Sequence, residues 1–434
     1  MIIQDFSFGN FRSFKEIQTL SLTKAKLTSK KDKALEGTNT FAHLLEGTNT
    51  FAHLKESFLK SKALYGANAS GKSNLIKALS VFLKIISQSV KDEKVLERIN
   101  SFRLSADTME QPSFFQMIFW IDENKYRYGF QASDKAICSE WLYERKGKKE
   151  TCYFIREQKG ISYLNENFFK EGDIYMGLAQ QEDGSKEFLF PTSLFLKMLA
   201  SFPFAKISKS IIEGFNQIKI LSGLGDATMA AYAREALRIP QKKSFMLEIL
   251  KRGDTSVEKL GFLELNNEPS ENMEAPKKRS VLLSAKKLRG GVDEDKIPLS
   301  LFAFEEFESE GTQRLFEYAA YLYDAFYEKK ILIIDQFDAL LHPLLAKKLV
   351  ALFNSSANEQ SQFVLTTNNT QLLLDNLLRR DQISFVEKDK EGSSHLYALA
   401  EIAGVKSDTY ERDYLHGKYG ATPIVGDFNE LFEN

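Results

Sequence analysis

The chain has 434 residues, 43% of them hydrophobic and 27% charged, with a formal net charge of −1. That is an ordinary globular composition with enough apolar residues for a real core, and the length suits two or three units of roughly 150 residues each. A charge so near zero excludes a global electrostatic pull toward nucleic acid or anionic membrane, so any such contact needs a local basic patch.

The two cysteines, Cys138 and Cys152, form no CxxC or Cys/His pairing and read as thiols in a reducing cytosol. No apolar run approaches the ~20 residues of a membrane span. The opening Met1-Ile2-Ile3-Gln4-Asp5 lacks the regions of a signal peptide. The expectation is a cytoplasmic protein with no membrane partner.

Residues 1–25 alternate as strands do: Ile3, Phe6 and Phe8, then Asn10-Phe11-Arg12-Ser13-Phe14, then Ile17, Leu20 and Leu22. This predicts an antiparallel hairpin with a buried aromatic face, forming a small sheet beside the glycine-rich loop that follows at 66–73. Residues 35–54 hold a perfect direct repeat of ten residues. Two copies are too few for a solenoid. Ten is even, so a strand keeps its faces through the repeat whereas a helix loses register. The stretch reads as a tandem duplication in a surface loop or a cloning artefact, with His43 and His53 as bystanders rather than metal ligands.

Gly66-Ala67-Asn68-Ala69-Ser70-Gly71-Lys72-Ser73 fits G-x-x-x-x-G-K-[ST]. It follows the short apolar run Ala63-Leu64-Tyr65 and precedes a helical pattern with Leu75, Leu79, Phe82, Leu83 and Ile86 on one face. Strand, glycine loop and helix together are the context the motif requires. The glycines let backbone N–H groups turn onto phosphate oxygens, and the helix N-terminus adds partial positive charge. Lys72 is expected on the β- and γ-phosphates and Ser73 on a magnesium ion. Gly66, Asn68, Ser70 and Gly71, with Asn74 after the motif and Arg12 from the opening turn, complete the nucleotide-binding set on this side.

Phe114 to Ile121 and Tyr126 to Phe130 predict two strands joined by Asp122-Glu123-Asn124, and Trp141-Leu142-Tyr143 and Cys152 to Ile155 continue the antiparallel theme. From about 165 to 265 the spacing turns helical, in Ser193 to Phe202, Ile207 to Phe215, Ala227 to Leu237 and Phe245 to Leu250. No heptad run is sustained, so a compact helical lid is expected rather than a long coiled coil. Residues 266–280 read as a mobile loop. Lys242, Lys243, Lys251, Arg252, Lys277, Lys278, Arg279, Lys286, Lys287 and Arg289 gather around it, either as a solvated face or as a nucleic-acid contact.

In the last third, Lys330 to Asp335 is a buried parallel-type strand ending in an acid, and Gln362 to Thr367 is a second. Pro343 opens a helix, Leu344 to Phe353, where proline is best tolerated. Ile383 to Glu387 and His395 to Leu399 predict a hairpin, followed by a partly ordered tail. Asp335 is placed to hold magnesium, with Gln336 next to it. Upstream, Ser309-Glu310-Gly311-Thr312-Gln313-Arg314 opens a helix and makes a second anion-site pattern, S-x-G-x-x-R.

With these motifs the chain resembles the ABC/SMC-type ATPases of the overcoming-lysogenization-defect (OLD) and RloA-like group (AAA15/AAA21), associated with bacterial anti-phage defence. The resemblance rests on Asn10 to Phe14, the phosphate loop, Glu308 to Arg314, the Asp335 strand and Asp381 to Tyr397. It implies an α/β fold, an ABC-type P-loop head with a mixed central sheet and an antiparallel N-terminal sheet, and an inserted, mainly helical lid. The units expected are 1–164 with the loop, 165–295 as lid, 296–400 with the signature and the acidic strand, and a tail from 401 to 434.

The resemblance also implies a head-to-head homodimer, alone or within a higher oligomer, with ATP and Mg2+ between the subunits. One subunit's Gly66 to Ser73, Asp335 and residue 336 would face the other's Ser309 and Gly311, with Leu341-His342 crossing the interface. The switch position falls on Asn368, where histidine is usual; the Q-loop glutamine is left unplaced, with Gln116 as a candidate. Gln336 stands where most such ATPases carry the catalytic glutamate. Glutamine keeps the size and the hydrogen bonding but accepts no proton, and loss of a general base costs on the order of a hundredfold or more in rate. Mg-ATP binding should survive, giving an ATP-trapped state. Gln336 is either an engineered trapping substitution or the mark of a natural member that uses ATP more as ligand than as fuel.

Relatives of this type are commonly encoded beside an effector, a nuclease or a toxin, so a sensor or scaffold role in a defence complex is expected. The residues after Thr367 lack a cluster of acids following a strand, so no nuclease is expected in cis. The alternatives are an SMC-like DNA-binding ATPase of repair or processing, and a non-hydrolysing scaffold.

Overall fold

The computed structural model describes residues 1–43, 56–147, 149–158, 160–183, 191–253, 255–265, 279–288, 298–374, 377–405 and 409–432. Two β-sheets enclose the helix Lys72–Gln88 between them. The first sheet has seven antiparallel strands in the order Gly160–Leu164, Lys149–Glu157, Ile137–Lys146, Asn124–Ala132, Ser113–Ile121, Ile2–Gly9, Gln18–Ser21. Its alternation is the one read from the sequence: Phe115, Met117 and Phe119 point into the core, and Phe114, Gln116 and Ile118 between them stay half-exposed. The opening hairpin is therefore the edge of a large sheet rather than a small sheet of its own.

Phe82 of the enclosed helix shows how the layers join. Its ring centroid lies 5.5 Å from those of Phe6 and Phe130 and 5.6 Å from that of Phe215. Burying one such ring fully contributes about 1.5–3 kcal/mol. At the far end of the sheet, the buried Glu140 accepts the N–H groups of Phe195 and Leu196 at 2.6 and 3.0 Å. It thereby caps the helix Phe195–Leu199 and ties that helix to the sheet.

The second sheet has six strands in the order Ile218–Ser222, Ile331–Asp335, Phe363–Thr366, Ser61–Tyr65, Ile383–Lys388, Ser394–Ala398. The first five run parallel, and only the last pair is antiparallel. The helices Glu310–Glu328 and Pro343–Phe353 contribute to a second core on its other face.

The middle of the chain is less uniformly helical than its spacing suggests. The helices Lys206–Phe215, Ala227–Ala236 and Pro240–Arg252 form as expected. Ile218–Ser222, however, is a strand of the central sheet, paired in register with Ile331–Asp335. Its five residues are too few to separate period 2 from the helical period just before it. Lys259–Leu265, Arg279–Lys287 and Leu299–Ala303 form a three-stranded antiparallel sheet that the pattern also hid.

Residues 44–54 of the direct repeat, with His53, lie outside the described residues, as do 266–278 of the loop, Lys277, Lys278 and Arg289; the side chains of His43 and Arg279 do as well. The first copy of the repeat is more than a surface loop. Asn39 is buried, and its amide donates to the Leu377 carbonyl at 2.9 Å and to Gln382 Oε1 at 2.7 Å.

Candidate nucleotide site

Adjacent parallel strands whose ends share an edge bring the loops after them together. Here the strand Phe363–Thr366 lies between the loop strand Ser61–Tyr65 and the Asp335 strand. The glycine loop, Thr367-Asn368 and Asp335-Gln336 therefore leave the sheet side by side, although they are far apart in the chain.

The loop's shape is imposed by its neighbours. A Cβ at Gly66 would lie 2.3 Å from the Val386 carbonyl oxygen, and one at Gly71, whose φ is +119°, would lie 2.5 Å from Ser394 Oγ. Only glycine fits either place. Ser394 Oγ donates to the Ser70 carbonyl at 2.6 Å and hydrogen-bonds Ser13 Oγ at 2.9 Å. Asn74 donates its amide to the same Ser13 Oγ at 2.9 Å. Asn74 thus helps to hold the loop against the opening turn. Arg12 in that turn is exposed, with φ of +53° and its N–H on the Asn100 carbonyl at 2.7 Å. Asn68 at the loop's crown is exposed as well.

The helix Lys72–Gln88 begins at Gly71 with no side-chain cap, so its first-turn N–H groups remain for an anion. Lys72 Nζ donates to the Gly66 and Ala67 carbonyls at 2.5 and 3.0 Å. Burial pushes its pKa down, and Asp335 and Asp338 pull it partly back. Thr366 Oγ1 donates to Asp335 Oδ1 at 2.6 Å and accepts the Gln336 N–H at 2.7 Å, which fixes the end of the acidic strand. Gln336 itself is exposed and left-handed, with φ of +55°.

Lys72, Gln336, Asp338, Ala339, Thr366, Thr367 and Asn368 line one cavity of about 110 Å³. A whole ligand pocket encloses roughly 300–1,000 Å³, so one chain supplies a floor and not an enclosure. The residues present fit a nucleoside triphosphate with magnesium. The helix terminus is uncapped, two glycines admit no Cβ, a lysine reaches the loop, and the buried Ser70 Oγ has no hydrogen-bond partner. Ser73 and Asp335 supply the oxygen donors that Mg2+ prefers.

The second anion-site pattern is also in place. Ser309 caps the helix Glu310–Glu328, its Oγ accepting the Thr312 N–H at 3.2 Å. Gly311 packs on the turn after the acidic strand, where a Cβ would lie 2.8 Å from the Leu340 carbonyl oxygen. Tyr318 Oη donates to the Phe337 carbonyl at 3.0 Å. Ser309 is exposed, and no hydrogen bond among the described residues joins it to the glycine loop.

Two placements differ from the sequence reading. Gln116 sits on the outer face of the seven-stranded sheet, where its Oε1 accepts from Trp141 Nε1 at 3.1 Å and from Arg127 Nη1 at 3.4 Å. The period-2 alternation turns it away from the loop helix. The expected tail is docked from Thr409 to Ala421. Tyr414 stacks on Phe385 with centroids 5.3 Å apart and meets Tyr65 edge-on at 5.7 Å. Its hydroxyl donates to the Ala421 carbonyl at 3.2 Å. Burial raises its pKa to about 12, partly offset by the Gly66 backbone. Sequence reasoning missed this support of the loop. The only signal was the tyrosine spacing at 410, 414 and 419.

Fold and site define an ABC-type P-loop nucleotide-binding head. A family model described as "AAA domain, putative AbiEii toxin, Type IV TA system" matches residues 63–174 and 203–375. The match covers well over half of the chain, and the chain belongs to that family of ATPases. No curated protein matches. Among solved structures, an SMC head bound to the C-terminal winged-helix domain of ScpA is 14% identical, with TM-score 0.39, over 92% of this chain and 97% of that one. The SMC head domain from Thermotoga maritima is 10% identical, with TM-score 0.40, over 92% and 99%. An SMC head with an extended coiled coil, bound to the C-terminal domain of ScpA derived from Pyrococcus furiosus, is 12% identical, with TM-score 0.39, over 92% and 96%.

Proposed function

We propose that this ATPase dimerises head to head on Mg-ATP and serves as the sensor or scaffold subunit of a cytoplasmic anti-phage complex. Its nucleotide state would then hold or release an effector, a nuclease or a toxin. The observation that carries the dimer is the division of the site. Lys72, Gln336 and Asn368 share an open floor, while Ser309 and Gly311, which do not line it, present a second helix terminus on the same chain. Lys72, Gly71 and the first turn of the loop helix would grip the phosphates, and Ser73 and Asp335 the magnesium. Bound Mg-ATP supplies a phosphoanhydride bond open to attack by water. Gln336 would orient a water without taking its proton, which favours a long-lived closed state.

A DNA-binding role has less support. Of the basic residues around the lid, Lys242 pairs with Asp324 at 2.5 Å, Lys251 with Glu258 at 3.8 Å, Arg252 with Glu248 at 3.6 Å, Lys286 with Glu308 at 2.9 Å and Lys287 with Glu258 at 3.1 Å. Charges already paired add little to a polyanion's attraction.

The decisive experiment is a mass measurement with and without Mg-ATP. A shift from one to two subunits is expected. An unchanged mass at saturating nucleotide would rule out the composite site.

A further inference from the structure

One short turn touches both halves of the divided site within a single chain. It runs from Ser222 to Asp226, between the edge strand Ile218–Ser222 and the helix Ala227–Ala236. On one side it is pressed against the acidic strand's end. The Gly223 N–H donates to the Asp335 carbonyl at 2.6 Å, and a Cβ on Gly223 would lie 1.7 Å from the Gln336 carbonyl oxygen. On the other side it is held by the helix Glu310–Glu328 that Ser309 caps, the signature helix. Arg314 Nη2 donates to the Leu224 carbonyl at 2.8 Å. Gly225, left-handed with φ of +75°, lies under the same guanidinium, where a Cβ would come within 2.0 Å of both Nη atoms. Arg314 is buried, and its Nη1 pairs with Glu317 one turn further along the helix.

These contacts leave no slack. The Asp335 carbonyl accepts the Gly223 N–H and the Gln336 carbonyl fills the place a Cβ of Gly223 would take, so neither of these two successive peptides rotates without displacing Gly223. Gln336 is held in the left-handed region, which a non-glycine residue occupies only when its surroundings impose it. Leu224 cannot move without pulling on Arg314, which sits five positions after Ser309, in the second turn of the helix that Ser309 caps. Close-packed elements of this kind move between discrete arrangements rather than deforming smoothly.

We propose that the Ser222–Asp226 turn is a relay: an event at Asp335-Gln336 repositions the Ser309 cap of the same chain through Gly223, Leu224 and Arg314. Arg314 and Gly225 are thus positioning residues. The relay rests on the nucleotide reading above and adds to it. In a head-to-head dimer each chain's cap serves the other chain's nucleotide, so the turn links the two sites.

The test is hydrogen exchange on the full chain, at a concentration where its mass stays that of one subunit, with and without Mg-ATP. Binding is checked first by titration. In the chain as it stands, Mg-ATP should slow exchange about tenfold at 222–226 and across 309–316, besides the loop itself. Protection confined to the loop and residues 335–337 overturns the relay. The double variant Arg314→Met with Glu317→Gln removes the guanidinium without stranding a buried carboxylate. It should keep Mg-ATP affinity and lose the protection at 309–316, and retained protection there overturns the proposal. Gly225→Ala, which displaces the guanidinium by a different route, should give the same loss. A chain that binds no Mg-ATP fails at the titration, and that result overturns the nucleotide reading and the relay with it.

Discussion

The two helix N-termini assigned to the nucleotide are built differently. The loop helix starts at Gly71 with no capping side chain and no acid in its first turn. The signature helix starts at Ser309, whose hydroxyl already accepts the Thr312 N–H, and carries Glu310 in its first turn. An uncapped terminus with a lysine at its first position attracts an anion unaided. A capped terminus with a carboxylate has much of its partial charge satisfied, a difference of about 0.3–1 kcal/mol per interaction. Under the proposed function the lesson is an order of events: the loop would take the triphosphate first, and the signature cap would join an anion that is already held.

The largest test of that asymmetry is chemical. Gln336→Glu should raise ATP turnover about a hundredfold or more, because it restores a proton acceptor beside Asp335. Steady-state phosphate release checks it. Unchanged turnover with binding intact would favour a scaffold that does not hydrolyse. Next, Lys72→Ala should weaken Mg-ATP binding by a single chain roughly 10- to 100-fold, the range for a charge-assisted bond to phosphate. Ser309→Ala should leave that single-chain affinity alone and weaken the ATP-dependent mass shift, while costing about 1 kcal/mol of stability as a lost cap. Equal losses of single-chain affinity in both variants would erase the proposed order.

A smaller effect concerns the loop's support. Tyr414→Phe removes the hydroxyl that ties this docked segment to the Ala421 carbonyl beside the loop strand and should lower Mg-ATP affinity roughly fivefold, the equivalent of about 1 kcal/mol. Calorimetric titration reads it directly. The smallest effect is proton uptake. Burial holds the Lys72 pKa below its usual 10.5, and phosphate would pull it back up. Binding should therefore take up a fraction of a proton at alkaline pH, and affinity should fall as pH rises through the lowered pKa. Titrations in two buffers of different ionisation enthalpy would show no difference if Lys72 does not meet the phosphates.

Local pattern was enough for the loop and its helix, the two aliphatic strands, the antiparallel strands at 113–157 and the cap at Ser309. Each is specified within a few residues, by glycine spacing, period-2 alternation or a serine before a helix. Such signals survive without tertiary context because the atoms that satisfy them are close in the chain. What needed the folded molecule was everything set by neighbours far away in sequence. Ile218–Ser222 became a strand because Ile331–Asp335 lay open beside it. Gly66 and Gly71 are forced to be glycine by Val386 and Ser394, and Gln116 was excluded from the site by the face its strand buries. Tyr414 reached the loop from more than three hundred residues downstream. Residue type and spacing determined which chemistry this chain carries, and long-range packing alone decided which of the described groups line the floor at Lys72 and that the Ser309 cap is not among them.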